Sequence, residues 1–316
     1  MKILANDGIA PSGIVLLEQA GHTVVTEKVE QDALVDAINN ESYDVVLVRS
    51  ATKIRQNIID SCPGLKMIGR GGVGMDNIDV DYARSKGLKV FNTPSASSQS
   101  VAELVIAHLF SLVRMTFDSN RQMPEKGGAE FKTLKKKYGK GVELRGKTLG
   151  IVGFGRIGQN VARYALGLGM KVVAHDPFMD VTRIDVDVAD QTVAVEIANS
   201  SMEEVIRQSD FVTLHVPKQQ GGKAVIGSDE LNSMKDGVYL INAARGGVID
   251  EDALITALDS GKVASAALDV FENEPTPSEA LMAHPKIALT PHVGAATLEA
   301  QSRIGEELAN FIISNS

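Results

Sequence analysis

Apolar positions fall in short β-branched runs that alternate with stretches of helical spacing along nearly the whole chain. In the first third, residues 2–5, 22–26, 44–49, 65–69 and 89–92 read as strands, with helices at 11–20 and 80–85, the latter closed by Gly87. A second series begins at Lys147, with strands at 148–152, 171–175, 211–215, 238–242, 264–268 and 287–290 and helices that include 202–208 and 251–260. Alternation of this kind builds parallel sheets covered by helices on both faces. The fold class expected is α/β, with two doubly wound parallel-sheet domains. A long apolar helix at about 98–117 joins the two series, and the polar, Lys- and Gly-rich stretch 124–141 reads as a surface excursion. One last helix within 294–316, with Ile304, Leu308 and Phe311 on one side, is expected to return to the first domain.

Composition narrows the function classes. The chain has 316 residues, more than one typical core, which agrees with two domains. A net charge of −8 speaks against a general nucleic-acid binder and requires that any anionic substrate be met by local cations. The single cysteine, Cys62, allows no internal disulfide and no zinc-ligand spacing, and reads as a small apolar filler beside a turn. No basic start leads into an apolar leader, so a cytoplasmic location is expected. The longest nearly apolar run, 101–113, contains Glu103 and His108 and is too short to span a bilayer, so no membrane partner is expected.

The strongest local signal is Gly153-Phe154-Gly155-Arg156-Ile157-Gly158, set between the strand 148–152 and a helix with Ile157, Val161, Ala165 and Leu168 at helical spacing. In that context the three glycines serve a tight turn, a close approach of backbone to a pyrophosphate, and close helix–strand packing. The next strand ends at Asp176, 18 residues past Gly158, where an acid accepts hydrogen bonds from ribose hydroxyls and repels a 2′-phosphate. The cofactor expected is therefore NAD.

Three polar residues each follow a predicted strand of the second series: Arg245, Glu274 and His292. Ligands of such sheets bind outside the carboxyl ends of the strands. An arginine fork suits a carboxylate, a histidine exchanges protons near neutral pH, and a carboxylate beside the imidazole fixes its tautomer. Residue by residue, a surface cation, a loop acid and a core histidine remain the alternatives.

The stretches Asn242-Ala243-Ala244-Arg245-Gly246-Gly247, Ala267-Leu268-Asp269-Val270-Phe271 with Glu274-Pro275, and Pro291-His292-Val293-Gly294-Ala295 resemble the signatures of the D-2-hydroxyacid dehydrogenases. The resemblance implies a Rossmann NAD-binding domain (98–293) inserted in a flavodoxin-like substrate domain (1–97 and 294–316). It implies that Arg245 binds the substrate carboxylate and carbonyl, that His292 is the acid/base, and that Glu274 pairs with it. It further implies that Asp269 holds the nicotinamide carboxamide and that Arg156, Ile157, Pro217 and Ala243 line the cofactor. Within the family the chain is most similar to the D-3-phosphoglycerate dehydrogenases, through Val48-Arg49-Ser50-Ala51-Thr52-Lys53, Ile68 to Asp79, Asn92-Thr93-Pro94 and Ala102-Glu103. That likeness assigns Arg49 and Arg70 to a substrate phosphate and the backbone of Val73 and Gly74 to the carboxylate, in a homodimer. The reaction implied is oxidation of 3-phosphoglycerate, the entry to serine biosynthesis. Members with C-terminal serine-binding domains are known; the sequence ends at Ser316 after the last core helix, so feedback through such a domain is not expected. A glyoxylate or hydroxypyruvate reductase, and a co-repressor-like protein that binds NADH without turnover, are the competing readings. Glu274 speaks against a formate dehydrogenase, in which glutamine pairs with the histidine.

Overall fold

All four residues of Val45–Val48 and all four of Phe211–Leu214 are buried, as strands covered on both faces must be. The computed structural model describes residues 1–316, Gln220 by its backbone alone. The chain divides into two compact units, Met1–Ser100 with Ala295–Ser316, and Val101–Gly294. The divisions fall at 100/101 and 294/295, where the sequence placed them at 97/98 and 293/294.

The first unit holds β1 (Lys2–Ala5), α1 (Pro11–Gln19), β2 (Thr23–Val25), α2 (Leu34–Asn40), β3 (Val45–Val48), α3 (Gln56–Ser61), β4 (Met67–Arg70), α4 (Val80–Ser85) and β5 (Lys89–Asn92). Its sheet is parallel throughout, in the order β2-β1-β3-β4-β5, which is the flavodoxin-like order. Cys62 fills core space beside Ile58, Ile59 and Leu65, the role expected of it.

The division between the units falls inside α5 (Ser98–Arg114), and α6 (Thr116–Tyr138) follows after Met115, whose φ is +52°. The apolar helix stops at Arg114 rather than near Phe117, a correction to the expected end, because the left-handed Met115 breaks it. The stretch 124–141 is the solvent-exposed excursion expected, its lysines facing solvent, and it is largely helical, with a bend at Glu130. Lys135, Lys136 and Lys137 stand where a helix dipole favours cations, a term the Gly-rich composition concealed. Among the described residues no single helix is long and apolar enough to cross a membrane. The bent pair α5–α6 has the length and composition, but Val105, Leu109 and Leu112 of α5 are buried in the protein's own core.

The second unit continues with β6 (Thr148–Val152), α7 (Arg156–Gly167), β7 (Lys171–His175), β8 (Val181–Val188), β9 (Gln191–Ala198), α8 (Met202–Gln208), β10 (Phe211–Leu214), α9 (Ser228–Ser233), β11 (Val238–Asn242), α10 (Glu251–Ser260), β12 (Val263–Leu268), α11 (Glu279–Ala283) and β13 (Ile287–Leu289). Six strands form one parallel sheet, β13-β12-β11-β10-β6-β7. The antiparallel hairpin β8–β9 was not foreseen. It buries Ile184, Val186 and Ile197 in the core shared with α7, and the chain leaving it touches β7 through one parallel bridge, Ala174 to Asn199. That bridge stands where a further parallel strand would lie in the usual Rossmann order. The last helix, α12 (Leu298–Asn315), is capped by Thr297 and belongs to the first unit, as expected. Ile304 and Leu308 are buried there, and Phe311 stacks on Phe91 at 4.0 Å between ring centroids.

Candidate active site

The strand order reverses beside β6, with β7 on one flank and β10 on the other. The loops leaving β6 and β10 therefore open the crevice where such sheets bind ligands. Gly153 turns the chain at φ +91°, and a Cβ there would lie 2.5 Å from the carbonyl oxygen of His215. At Gly158 a Cβ would lie 2.3 Å from the carbonyl oxygen of Gly153, so only glycine lets α7 sit this close to the loop. Gly155 differs: its φ is −71° and nothing lies within 4 Å of the Cβ position. Its bare backbone faces open space, beside the first amides of α7, which have no intrahelical acceptor. This is the cradle a pyrophosphate requires.

Asp176 follows β7 and reaches back to the same loop. Its Oδ2 accepts from Phe154 N at 2.8 Å and its Oδ1 from Phe178 N at 2.9 Å. A carboxylate has about four lone-pair positions, so two remain for hydroxyl donors. Arg156 and Pro217 are exposed, and Ile157 and Ala243 are half-buried. The residues present thus fit a dinucleotide with an unsubstituted ribose.

The carboxyl ends of β11, β12 and β13 lie side by side, with Asn242 opposite Leu268 and Leu268 opposite Leu289. Arg245, Asp269, Glu274 and His292 all follow these ends. Asn242 shapes the first loop, accepting from Ala244 N at 3.0 Å and donating to the Arg245 carbonyl at 2.9 Å. Arg245 donates from Nη1 to the Ala244 carbonyl at 2.7 Å and is half-buried. Glu274 folds back over its own turn, its Oε1 accepting from Phe271 N at 3.0 Å, and its Oε2 meets His292 Nδ1 at 2.7 Å. The Glu274–Pro275 peptide bond is cis. A carboxylate can only accept, so the contact places the imidazole proton on Nδ1 and leaves the lone pair on Nε2. His292 itself has φ +55°.

Asp269 is buried, at 1% exposure, and lies beneath this loop. Its Oδ1 accepts from Thr290 Oγ1 at 2.6 Å and from Val293 N at 2.9 Å; its Oδ2 accepts from Gly294 N at 2.9 Å. One lone-pair position remains, on Oδ2.

In the first unit, Val48 pairs with Arg70 in register, so Arg49 and Arg70 stand at neighbouring strand ends. The Arg70 guanidinium rests against Gly72, where a Cβ would come within 2.3 Å of Nη1. Gly72 N donates to Thr93 Oγ1 at 2.8 Å and Asn92 Nδ2 donates to the Val73 carbonyl at 2.5 Å, which fixes the loop carrying Val73 and Gly74. Burial pulls the pKa of the Arg49 guanidinium below the usual arginine value, with the Asp7 carboxylate acting the other way.

Two sets of residues that contact the candidate residues of their own unit were not singled out from the sequence. Asp7 takes Arg49 N at 2.7 Å, Thr52 N at 3.1 Å and Thr52 Oγ1 at 2.7 Å, while Asn77 donates to the carbonyls of Arg49 and Thr52. Its position just past β1 was the available signal. The other is His108, on α5, whose Nε2 lies 3.2 Å from Thr290 Oγ1; nothing in its sequence surroundings connects it to β13.

The D-isomer specific 2-hydroxyacid dehydrogenase family, in its NAD binding domain, matches residues 106–294. The chain is 42% identical over 315 residues to a hydroxypyruvate reductase of Thermotoga maritima, covering 98% of this chain and 97% of that one. It is 39% identical over 312 residues to a D-3-phosphoglycerate dehydrogenase of Methanocaldococcus jannaschii, covering 99% of this chain but 57% of the relative, so it spans little more than half the length of that protein. Among solved structures, a glyoxylate reductase from Paecilomyes thermophila superposes with a TM-score of 0.83 at 29% identity, over 99% of this chain and 94% of that one. The chain belongs to the D-isomer specific 2-hydroxyacid dehydrogenase family and uses NAD.

Proposed function

We propose that the chain oxidises 3-phosphoglycerate to 3-phosphohydroxypyruvate. The observation that carries this reading is the pair Arg49 and Arg70 at adjacent strand ends. In a protein of net charge −8 a phosphate dianion needs fixed local cations besides the one that holds the carboxylate. Asp7 and Asn77 hold the backbone of Arg49, so the strand end that carries this cation is pre-set.

Arg245 holds the substrate carboxylate by its fork. The lone pair on His292 Nε2 takes the proton of the C2 hydroxyl, and Glu274 stabilises the imidazolium that forms. NAD, when bound, supplies the acceptor for the hydride leaving C2. Gly153, Gly155 and Gly158 with the α7 amides hold its phosphates, Asp176 its ribose hydroxyls, and the free Oδ2 position of Asp269 its carboxamide. Arg156, Ile157, Pro217 and Ala243 line its remainder. Val73 and Gly74 give the carboxylate a backbone support. We also infer that two copies associate through α5 and α6, which expose Phe110, Met123 and Phe131.

A second reading, reduction of hydroxypyruvate, is favoured by the 42% identity to the full-length Thermotoga maritima reductase. It uses the same acid/base pair and leaves Arg49 and Arg70 without a phosphate. The test measures NADH formed with 3-phosphoglycerate beside NADH consumed with phosphohydroxypyruvate, hydroxypyruvate and glyoxylate. A preference for the phosphorylated pair that is lost in Arg49→Ala and Arg70→Ala is expected. Equal use of hydroxypyruvate, unchanged by those substitutions, would overturn the phosphate reading and leave the hydride chemistry standing.

A further inference from the structure

The loop that carries His292 is tied at both ends to one buried carboxylate. Asp269 takes Thr290 Oγ1, Val293 N and Gly294 N, so the residues on either side of Pro291-His292 hang from it. His292 N also donates to the Thr290 carbonyl at 3.1 Å, and the residue has the left-handed φ of +55°. A non-glycine residue keeps that conformation only where its surroundings impose it.

The Thr290 hydroxyl has a single proton. It lies 2.6 Å from Asp269 Oδ1, a group that can only accept, so the proton goes there. The Thr290 oxygen must then accept from its other neighbour, His108 Nε2 at 3.2 Å. His108 is therefore the Nε2–H tautomer. It is 5% exposed, on the face of α5 that carries the buried Val105, Leu109 and Leu112. Burial lowers its pKa, with the Asp269 charge opposing, which agrees with a neutral ring. A neutral Nε2–H tautomer has one donor in that direction, and it is aimed at Thr290.

We propose that His108 is a positioning residue for His292: through Thr290 and Asp269 it fixes the 290–294 loop and so the aim of the imidazole. Thr290 alone has a hydroxyl rotor free to turn from Asp269. The His108 donor removes that freedom, because the Thr290 oxygen cannot accept from Nε2 and keep its proton on the same side. The chain of hydrogen bonds then runs from α5, whose place is set by core packing, to the backbone next to the acid/base. The catalytic consequence rests on the reading of His292 as that group.

The experiment uses the full chain and two readouts. Hydrogen exchange of the segment 290–294 is followed without substrate, and kcat and KM are measured for NADH formation. His108→Leu and Thr290→Val remove the link. His108→Gln places an amide donor near the Nε2 position, and Thr290→Ser keeps the hydroxyl. In the two link-removing variants, exchange at Val293 and Gly294 is expected to rise about tenfold, the factor for one net hydrogen bond. Their kcat should fall by a similar factor, with KM for NAD unchanged. His108→Gln and Thr290→Ser should recover most of both, and His108→Leu/Thr290→Val should be no worse than Thr290→Val alone. Should His108→Leu fail to fold, His108→Met, which also lacks a donor, carries the same comparison against His108→Gln. Unchanged exchange in His108→Leu, whatever Thr290→Val does, or additive losses in the double variant, would overturn the proposal. His292→Asn separates the two readings: activity retained in it refutes the acid/base role, while exchange still reports on the link.

Discussion

Replacing Glu274 by glutamine changes one atom and should reverse the proton order at His292. The Glu274 carboxylate has two occupied oxygens, one accepting from Phe271 N at 3.0 Å and one meeting His292 Nδ1 at 2.7 Å. In the variant the Phe271 N–H still needs an acceptor, so the amide oxygen takes that side and the NH2 faces the imidazole. Nδ1 must then accept, and the ring proton moves to Nε2, where the base needs its lone pair. The charge-assisted bond that supports the imidazolium in the transition state is lost as well. Such bonds contribute about 1.5–3 kcal/mol. The side chains of His292 and Glu274 are 39% and 34% exposed, so solvent screens part of this and the lower half of the range applies. About 1.5–2 kcal/mol corresponds to a roughly 10- to 30-fold fall in kcat for oxidation. Initial rates of NADH formation at saturating substrate measure it, with the urea midpoint as control, since an exposed pair contributes little to folding. A kcat within about twofold of the parent, in a protein that still binds NAD, would refute the assignment of the pair.

Three further outcomes follow from other parts of the structure. Gly155→Ala should leave the urea midpoint unchanged, because its Cβ position is open, yet weaken NAD in a fluorescence titration; Gly158→Ala should weaken both, its Cβ lying 2.3 Å from a carbonyl, at about 1–3 kcal/mol for overpacking. Asp176→Ser should raise the NADP-to-NAD ratio of kcat/KM, and an unchanged ratio would mean that another group reads the ribose. Burial lowers the His215 pKa to about 3 and also lowers that of His108, so below about pH 6.5, for His215 down to about 3, the unfolded chain binds more protons than the folded one. Stability from these rings is fully present above pH 6.5 and is lost as pH falls, by up to about 1.4 kcal/mol per pH unit for each ring. Urea midpoints at neutral and mildly acidic pH, with His108→Leu flattening the slope, check the sign.

What the sequence made legible shares one property: each feature lies within a few residues of its own cause. Gly153 to Gly158 follows β6 directly, Asp176 follows β7, and Arg245 follows β11, so a strand pattern and the rule that ligands gather at strand ends single them out as candidates. The hairpin β8–β9 has the alternation of a strand pair, with Ile184 and Val186 turned inward, but its Asp-rich outer face reads as loop until α7 is there to cover the inner one. α6 was hidden for the opposite reason: Pro124, Gly127 and Gly128 have low helix propensity, and the helix spans them all the same.

His108 marks the limit of such reading. Its neighbours on α5 are apolar, so its spacing describes a core histidine, and it is one: buried, with its pKa lowered by desolvation. What turns it toward the chemistry is the arrangement of α5 against β13, which sets it 3.2 Å from a threonine 182 residues away in the chain. A buried polar side chain must find a partner. The partner is one bond from the carboxylate that holds the 290–294 loop, so on the proposed reading of His292 as the acid/base, satisfying the core and aiming that ring become the same interaction. Removing the donor alone should therefore move kcat more than it moves the unfolding midpoint, since the Thr290 oxygen keeps its bond to Asp269 in the fold but loses the direction that bond gave the loop.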